Sequence, residues 1–180
     1  LELGRFVSWV ECRAAWRDGR GCRSVALFPQ RKPPESAKAP EAFRWACRIM
    51  GIEVRPDRMI AYVEVSDERF CFATPALIAD LLPRFPNILS HTCVNERGET
   101  FMSVAANTSI PHVLEHLVID EQARLDESTS KVVFVGKTAW SNRPERKACV
   151  QVSYADEHIA RQALAVAQRE LNDALLARVR

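Results

Sequence analysis

An α+β fold, a layered α/β arrangement with a mixed or antiparallel sheet packed against helices, is what this sequence predicts. Three observations lead there. Runs with strand-like alternation and longer runs with helical spacing are interleaved along the 180 residues, without the strict βα alternation of a doubly wound nucleotide fold. Hydrophobic residues make up 47% of the chain and charged residues 27%, enough apolar surface for a proper core and too much for a disordered chain. No repeat and no low-complexity tract points to a solenoid or a fibre.

The elements are taken in chain order. Phe6 to Trp16 reads as a short helix or strand, and Ser24–Phe28 as a strand. Residues 29–40 hold Pro29, Pro33, Pro34 and Pro40 and form a loop or extended linker, because proline lacks the amide that helix and sheet need. Glu41 to Met50 spaces Phe43, Ala46, Cys47 and Met50 as a helix would, with Gly51 as its C-terminal cap. Arg58–Val65 alternates as a strand, and Arg69–Ala73 pairs with it across Ser66-Asp67-Glu68. Pro75 to Leu82 is a short helix with proline in its first turn and Pro83 at its end. Asn95-Glu-Arg-Gly98 is a turn. Thr108 or Ser109 caps a helix that tolerates Pro111 in its first turn and runs to about Leu125. Lys131–Val135 and Ala148–Val152 are strands. A final helix starts near Asp156 and runs to about Val179, with Ile159, Ala163, Leu164, Val166, Ala167, Leu171 and Leu175 on one side.

Charge and cysteine usage narrow the function classes. The first 60 residues carry 12 Lys/Arg against 7 Asp/Glu and the rest 13 against 16, too mild an asymmetry for the basic stripe of a nucleic-acid binder. No apolar run approaches the roughly 18 residues that span a bilayer. Leu1-Glu-Leu-Gly-Arg5 has no basic segment followed by an apolar stretch, so no signal peptide is expected. Cysteines stand at 12, 22, 47, 71, 93 and 149 without a CxxC pair, and a chain this well stocked with aliphatics does not need disulfides. The expectation is a reduced, cytoplasmic protein with no nucleic-acid and no membrane partner. Gly136-Lys137-Thr138 after a strand invites a P-loop reading, but the place of the first glycine is held by Lys131 and no helix comes after it. Trp9, Trp16, Trp45 and Trp140 are too scattered for a stacking platform.

The most informative segment is His112-Val-Leu-Glu115-His116. Two histidines four residues apart lie one turn apart on one helix face, so both imidazoles can reach one ion. Zinc on two histidines and a third ligand keeps a fourth position for water, and a neighbouring glutamate takes that water's proton. The order His-x-x-Glu-His is the inverse of the His-Glu-x-x-His arrangement of thermolysin-like peptidases. At about 100° per residue, Ile110, Val113, Leu114 and Leu117 point one way and His112, Glu115 and His116 nearly the other. Ile119 sits in the middle of that polar face, which a fully solvated face would not need. Third-ligand candidates are Glu157, taken first, then His158, Cys93 and His91. Each has a plainer reading: Cys93 as a core thiol, His158 as a surface residue, Glu157 as a first-turn acid favoured by the helix dipole.

From Leu81-Leu-Pro83 through Ser90-His91-Thr-Cys93 to Ser109-Ile-Pro-His112-Val-Leu-Glu115-His116-Leu-Val-Ile-Asp-Glu121-Gln122, the chain resembles the N-terminal domain of cyanophycin synthetase. Gly136-Lys-Thr138 is similar to a Gly-Arg-Thr of that family, and Tyr154, Glu157 and Arg161 match in character. The resemblance covers about residues 58–175 and is tightest around 88–122. It implies a domain over 58–180; the first 55 residues show no such match, and 1–57 is expected to be an N-terminal α/β segment of the same domain carrying the Pro-rich loop at 29–40. Cyanophycin is a poly-aspartate backbone with arginine side chains. The resemblance implies binding of a peptide or polyamide, arginine-rich in the family's case, and in some members zinc-peptidase-like cleavage that makes primers. These residues contain no ATP-grasp or ligase module, so the synthetase activity itself is not implied. The family carries a Glu, expected as third metal ligand, where this chain has Ser153, so either another residue completes the site or the site has lost its metal. The sequence thus predicts a zinc-dependent peptidase-like domain with Glu115 as general base, against a non-catalytic polymer- or protein-binding module of the same fold. A homo-oligomer is left open.

Overall fold

A computed structural model describes residues 43–126 and 132–179. The expected elements at 6–16 and 24–28 and the Pro-rich loop lie outside the described residues. Six strands and three α-helices occur among those described: β1 (Cys47–Val54), β2 (Arg58–Val65), α1 (Pro75–Leu81), β3 (Thr92–Asn95), β4 (Gly98–Thr100), α2 (Ile110–Leu125), β5 (Gly136–Asn142), β6 (Lys147–Ser153) and α3 (Glu157–Ala177). Short 3-10 turns at Glu68–Phe70, Ile88–Ser90, Phe101–Ser103 and Ala105–Asn107 fill the connections. The main sheet has the order β1-β2-β6-β5, every pair antiparallel, and β3-β4 is a separate hairpin. The fold is α+β, as expected, and the sheet is antiparallel.

Strand alternation explains the layering. Met59, Ala61, Val63 and Val65 of β2 and Ala148, Val150 and Val152 of β6 all face inward and are buried. Helices α2 and α3 pack on each other, with α2 over β5 and β6 and α3 over β1. Ala160, Ala163 and Ala167 of α3 are fully buried, small residues that bring that helix close to its neighbours. Asp156 caps α3, its side chain accepting from the Ile159 amide at 2.9 Å, and Thr74 caps α1 through the Leu77 amide at 3.2 Å. Strand β1 lies at the sheet's edge, yet α3 covers its free amides. Asn172 Oδ1 accepts from the Ala46 and Cys47 amides at 2.7 and 2.9 Å, and Gln168 Oε1 from the Ile49 amide at 2.7 Å.

Three expected elements are corrected. The helix expected over Glu41–Met50 is absent from its described part, where Cys47–Met50 begin β1, and Gly51 is no cap: it lies in the strand at a register irregularity opposite Tyr62. Arg69–Ala73 does not form a hairpin strand. Asp67 accepts from the Arg69 amide at 2.9 Å and starts a 3-10 turn, leaving Phe72 a lone bridge to Ser109. The strand expected at Lys131–Val135 is not seen over the described 132–135; β5 begins at Gly136, and Val132, Val133 and Val135 are exposed. Residues 47–54 pair with β2 and share one sheet with β2, β6 and β5.

Candidate metal centre

Helix α2 carries the site. Ser109 is its N-cap and Pro111 lies in its first turn, where a missing amide costs nothing. The Thr108 hydroxyl does not cap. It bonds His112 Nδ1 at 2.7 Å instead. Both faces of α2 are buried, which periodicity alone does not predict for the polar one: Glu115 is 5%, His116 2% and Asp120 4% exposed. Against the first face lie the hydrophobic core and α3. The histidine stripe is covered by residues 88–107, and Ile119 packs at the core margin.

That covering segment brings the third ligand. Asn95 Oδ1 accepts from the Arg97 and Gly98 amides at 2.8 and 3.1 Å, closing the β3–β4 turn expected at Asn95–Gly98. The Phe101 amide donates to the His91 carbonyl at 2.9 Å and holds the hairpin base together. Cys93 on β3 and Phe101 after β4 thereby lie against α2. The Cys93 Sγ stands 3.5 Å from His112 Nε2, and His116 Nε2 stands 3.2 Å from the same nitrogen. Cys93, His112 and His116 offer ligand atoms all within 4.8 Å of one another. Around tetrahedral zinc, adjacent nitrogens are about 3.3 Å apart and a nitrogen and a sulfur about 3.6 Å. The donor types suit zinc, and the two distances that meet at His112 Nε2 match that geometry.

Burial sets the charge states of the three groups. Burial pushes the His112 imidazole down to about 4 and His116 to about 2, so both are neutral at ordinary pH. Burial raises the Cys93 thiol, a hydrogen bond with Asn95 lowers it, and the Glu115 charge raises it again, so metal binding there has to displace the thiol proton. Glu115 itself is turned toward β5. Its Oε2 accepts from the Thr138 hydroxyl at 2.5 Å, and Gly136 is a glycine because any Cβ there would fall 2.4 Å from Glu115 Oε1. Burial raises the Glu115 carboxyl to about 7 against the lowering bond from Thr138.

The remaining sequence candidates lie apart from this triad or beside it. Glu157 is exposed at the start of α3 and bonds Arg161 at 2.8 Å; the structure brings Cys93, not Glu157, to the two histidines. His158 beside it is exposed as well. His91 is not in the grouped ligand set. Its Nδ1 lies 3.2 Å from His116 Nδ1, and its Nε2 lies 3.2 Å from Asp120 Oδ1. Ser153 is occupied elsewhere: its hydroxyl accepts from the Val135 amide at 2.8 Å and its carbonyl from Gln122 Nε2 at 3.2 Å. Gly136-Lys-Thr138 lies within strand β5 rather than in a phosphate-binding loop. Sequence reasoning did not single out Phe101, which stacks on His116 at 3.9 Å between centroids and meets His112 edge-on at 5.4 Å. It also missed Thr108 as a partner of His112 and Asp120 as a partner of His91. The i, i+4, i+8 spacing of His112, His116 and Asp120 is the one signal that could have found the last of these. Among the described residues no helix is long and apolar enough to cross a membrane, and the four described cysteines are free.

Comparison with known proteins adds one finding. The family model for the cyanophycin synthase-like N-terminal domain matches residues 62–176, more than half of the chain. No curated protein and no solved structure matches it.

Proposed function

The chain belongs to the cyanophycin synthase-like N-terminal domain family, and from that premise we propose that it is a zinc-dependent, peptidase-like domain acting on a peptide or polyamide. The observation that carries the reading is the convergence of Cys93 Sγ and His116 Nε2 on His112 Nε2 at 3.5 and 3.2 Å. Three protein ligands leave tetrahedral zinc one open position, the pattern of catalytic rather than structural sites. Zinc bound there supplies Lewis-acid chemistry, polarising a carbonyl and making a water acidic near neutral pH. Glu115 is the proton acceptor. A carboxyl raised to about 7 is matched to taking a proton at neutral pH and returning it to a leaving amine. Thr138 donates to that carboxylate at 2.5 Å. The polyamide class, arginine-rich by analogy with the family's polymer, is a proposal that rests on the resemblance alone.

A second reading is favoured by one specific observation. Both Glu115 oxygens face β5, at Thr138 and Gly136, which suits a buried structural acid in a non-catalytic binding module. The purified chain is expected to contain about one zinc per molecule, lost in His112→Ala and strongly reduced in Cys93→Ser, whereas Glu157→Gln keeps it. Elemental analysis after dialysis checks this, and a metal-free parent after reconstitution sinks the zinc reading. Glu115→Gln then separates the two functions. An enzyme keeps its zinc and loses about 100-fold or more in hydrolysis of an arginine-rich polyamide; a binding module shows no hydrolysis in the parent and unchanged polymer binding in the variant.

A further inference from the structure

His116 is held on two sides by groups that do not belong to the ligand set. Phe101 stacks on its ring and fixes the ring plane. A stack alone cannot choose between the two ring orientations related by a half-turn about the Cβ–Cγ bond, which share that plane. One of them presents Nε2 to His112 and Cys93; the other presents a carbon. What distinguishes them is the contact of His116 Nδ1 with His91 Nδ1 at 3.2 Å, which the flipped ring would lose.

The proton positions along this row are set from its far end. Asp120 is 4% exposed, and its carboxylate contacts His91 Nε2 at 3.2 Å. A carboxylate only accepts, so the proton in that contact sits on His91 Nε2. In its neutral form His91 then presents a bare Nδ1, which accepts. In that form the donor is the Nδ1–H of His116, which leaves His116 Nε2 with its lone pair directed at His112 Nε2. On the other side, the Thr108 hydroxyl can donate or accept, so His112 is free to adopt whichever tautomer the pocket's occupancy requires.

We infer that Asp120 and His91 are positioning residues for a metal, a row that sets the ring orientation and tautomer of His116 so that Nε2 is the ligand atom. This inference rests on the zinc centre proposed above and adds to it two residues from outside the His-x-x-Glu-His motif, one on α2 and one on the covering segment. Histidine ligands commonly donate their other nitrogen's proton to a carboxylate, and breaking such a pair typically weakens metal binding 10–100-fold. Here a second imidazole relays that carboxylate.

The test uses the full chain. Zinc affinity is measured by competition with a chromophoric chelator for the parent, Asp120→Asn and His91→Phe, with His112→Ala as the control. Asparagine keeps the shape of Asp120 but can donate as well as accept; phenylalanine keeps the ring of His91 and removes both nitrogens. Both variants are expected to bind zinc about 10–100-fold more weakly. With cobalt substituted for zinc, both should retain the thiolate charge-transfer band contributed by Cys93, which shows that the rest of the site survives. Affinities equal to the parent's would overturn the inference and leave His91 a mere clip between the covering segment and α2. Nitrogen-15 NMR of the histidine rings in the zinc-free parent needs no variant. Protonation of His116 at Nδ1 is expected, and protonation at Nε2 refutes the row. A parent that binds no zinc fails the underlying reading and this one together, whereas a parent that binds zinc beside unaffected variants fails this one alone.

Discussion

At Glu115 burial and a hydrogen bond pull in opposite directions, and burial wins. The carboxyl rises from 4.5 to about 7 although Thr138 donates to it. An acid whose folded value lies above its unfolded one binds more protons when folded. Its contribution to stability is present below about pH 4.5 and is lost as the pH rises to about 7. In the zinc-free chain this group alone should therefore lower stability by roughly 3 kcal/mol between those limits. Glu115→Gln keeps a partner for Thr138 and removes the ionisation. Urea unfolding at about pH 5 and about pH 8 should show the parent losing stability relative to the variant; a constant difference would refute the assignment. The same scale shows which site residues could be read from the chain. His112 and His116 were legible because a helix converts a four-residue spacing into a shared face. Cys93 was one candidate among four, since its meeting with His112, 19 residues away, depends on how a hairpin docks.

Elements were legible where the chain carries its own punctuation. Thr74 with Pro75, Asp156, and the Asn95–Gly98 turn all appear where their side chains satisfy nearby backbone groups. Strand limits were harder, since neither end of β1 or β5 is set by local chemistry. Gly51 resembles a helix cap in sequence but lies at a register irregularity that only pairing with β2 creates. Val132, Val133 and Val135 have strong strand propensity yet remain exposed, while β5 begins at a glycine. The Glu115 side chain sits where a Cβ on Gly136 would go, with its carboxyl carbon 2.6 Å from that position. Gly136→Ala is accordingly expected to destabilise the chain by about 1–3 kcal/mol, as overpacking does, and to dislodge Glu115 from Thr138. Denaturant titration reads the first effect and a normalised Glu115 titration the second. An alanine tolerated without cost would mean that β5 and α2 do not approach closely at this point.

For the whole molecule, the decisive feature is that α2 is enclosed on both sides. The core and α3 take one face and residues 88–107 the other. Ala160, Ala163 and Ala167 let α3 approach closely, and all three are fully buried. Ala163→Leu should cost about 1–3 kcal/mol, seen as a lower urea midpoint, and should leave the covering segment and zinc binding in place; an unchanged midpoint would show that this contact is slack. Local sequence was enough for the α+β class, helices α1 to α3 within a residue or two, strands β2 and β6, the hairpin turn and the two histidines of the stripe. All of these depend on neighbours within a few positions, through side-chain periodicity and capping. Tertiary packing was needed to bring Cys93 rather than Glu157 to the histidines, to turn Glu115 toward β5, to bury the polar stripe, and to set Asp120 and His91 behind His116. Each of those depends on which surfaces exclude water together, and burial is a property of the assembled layers rather than of any local run of residues.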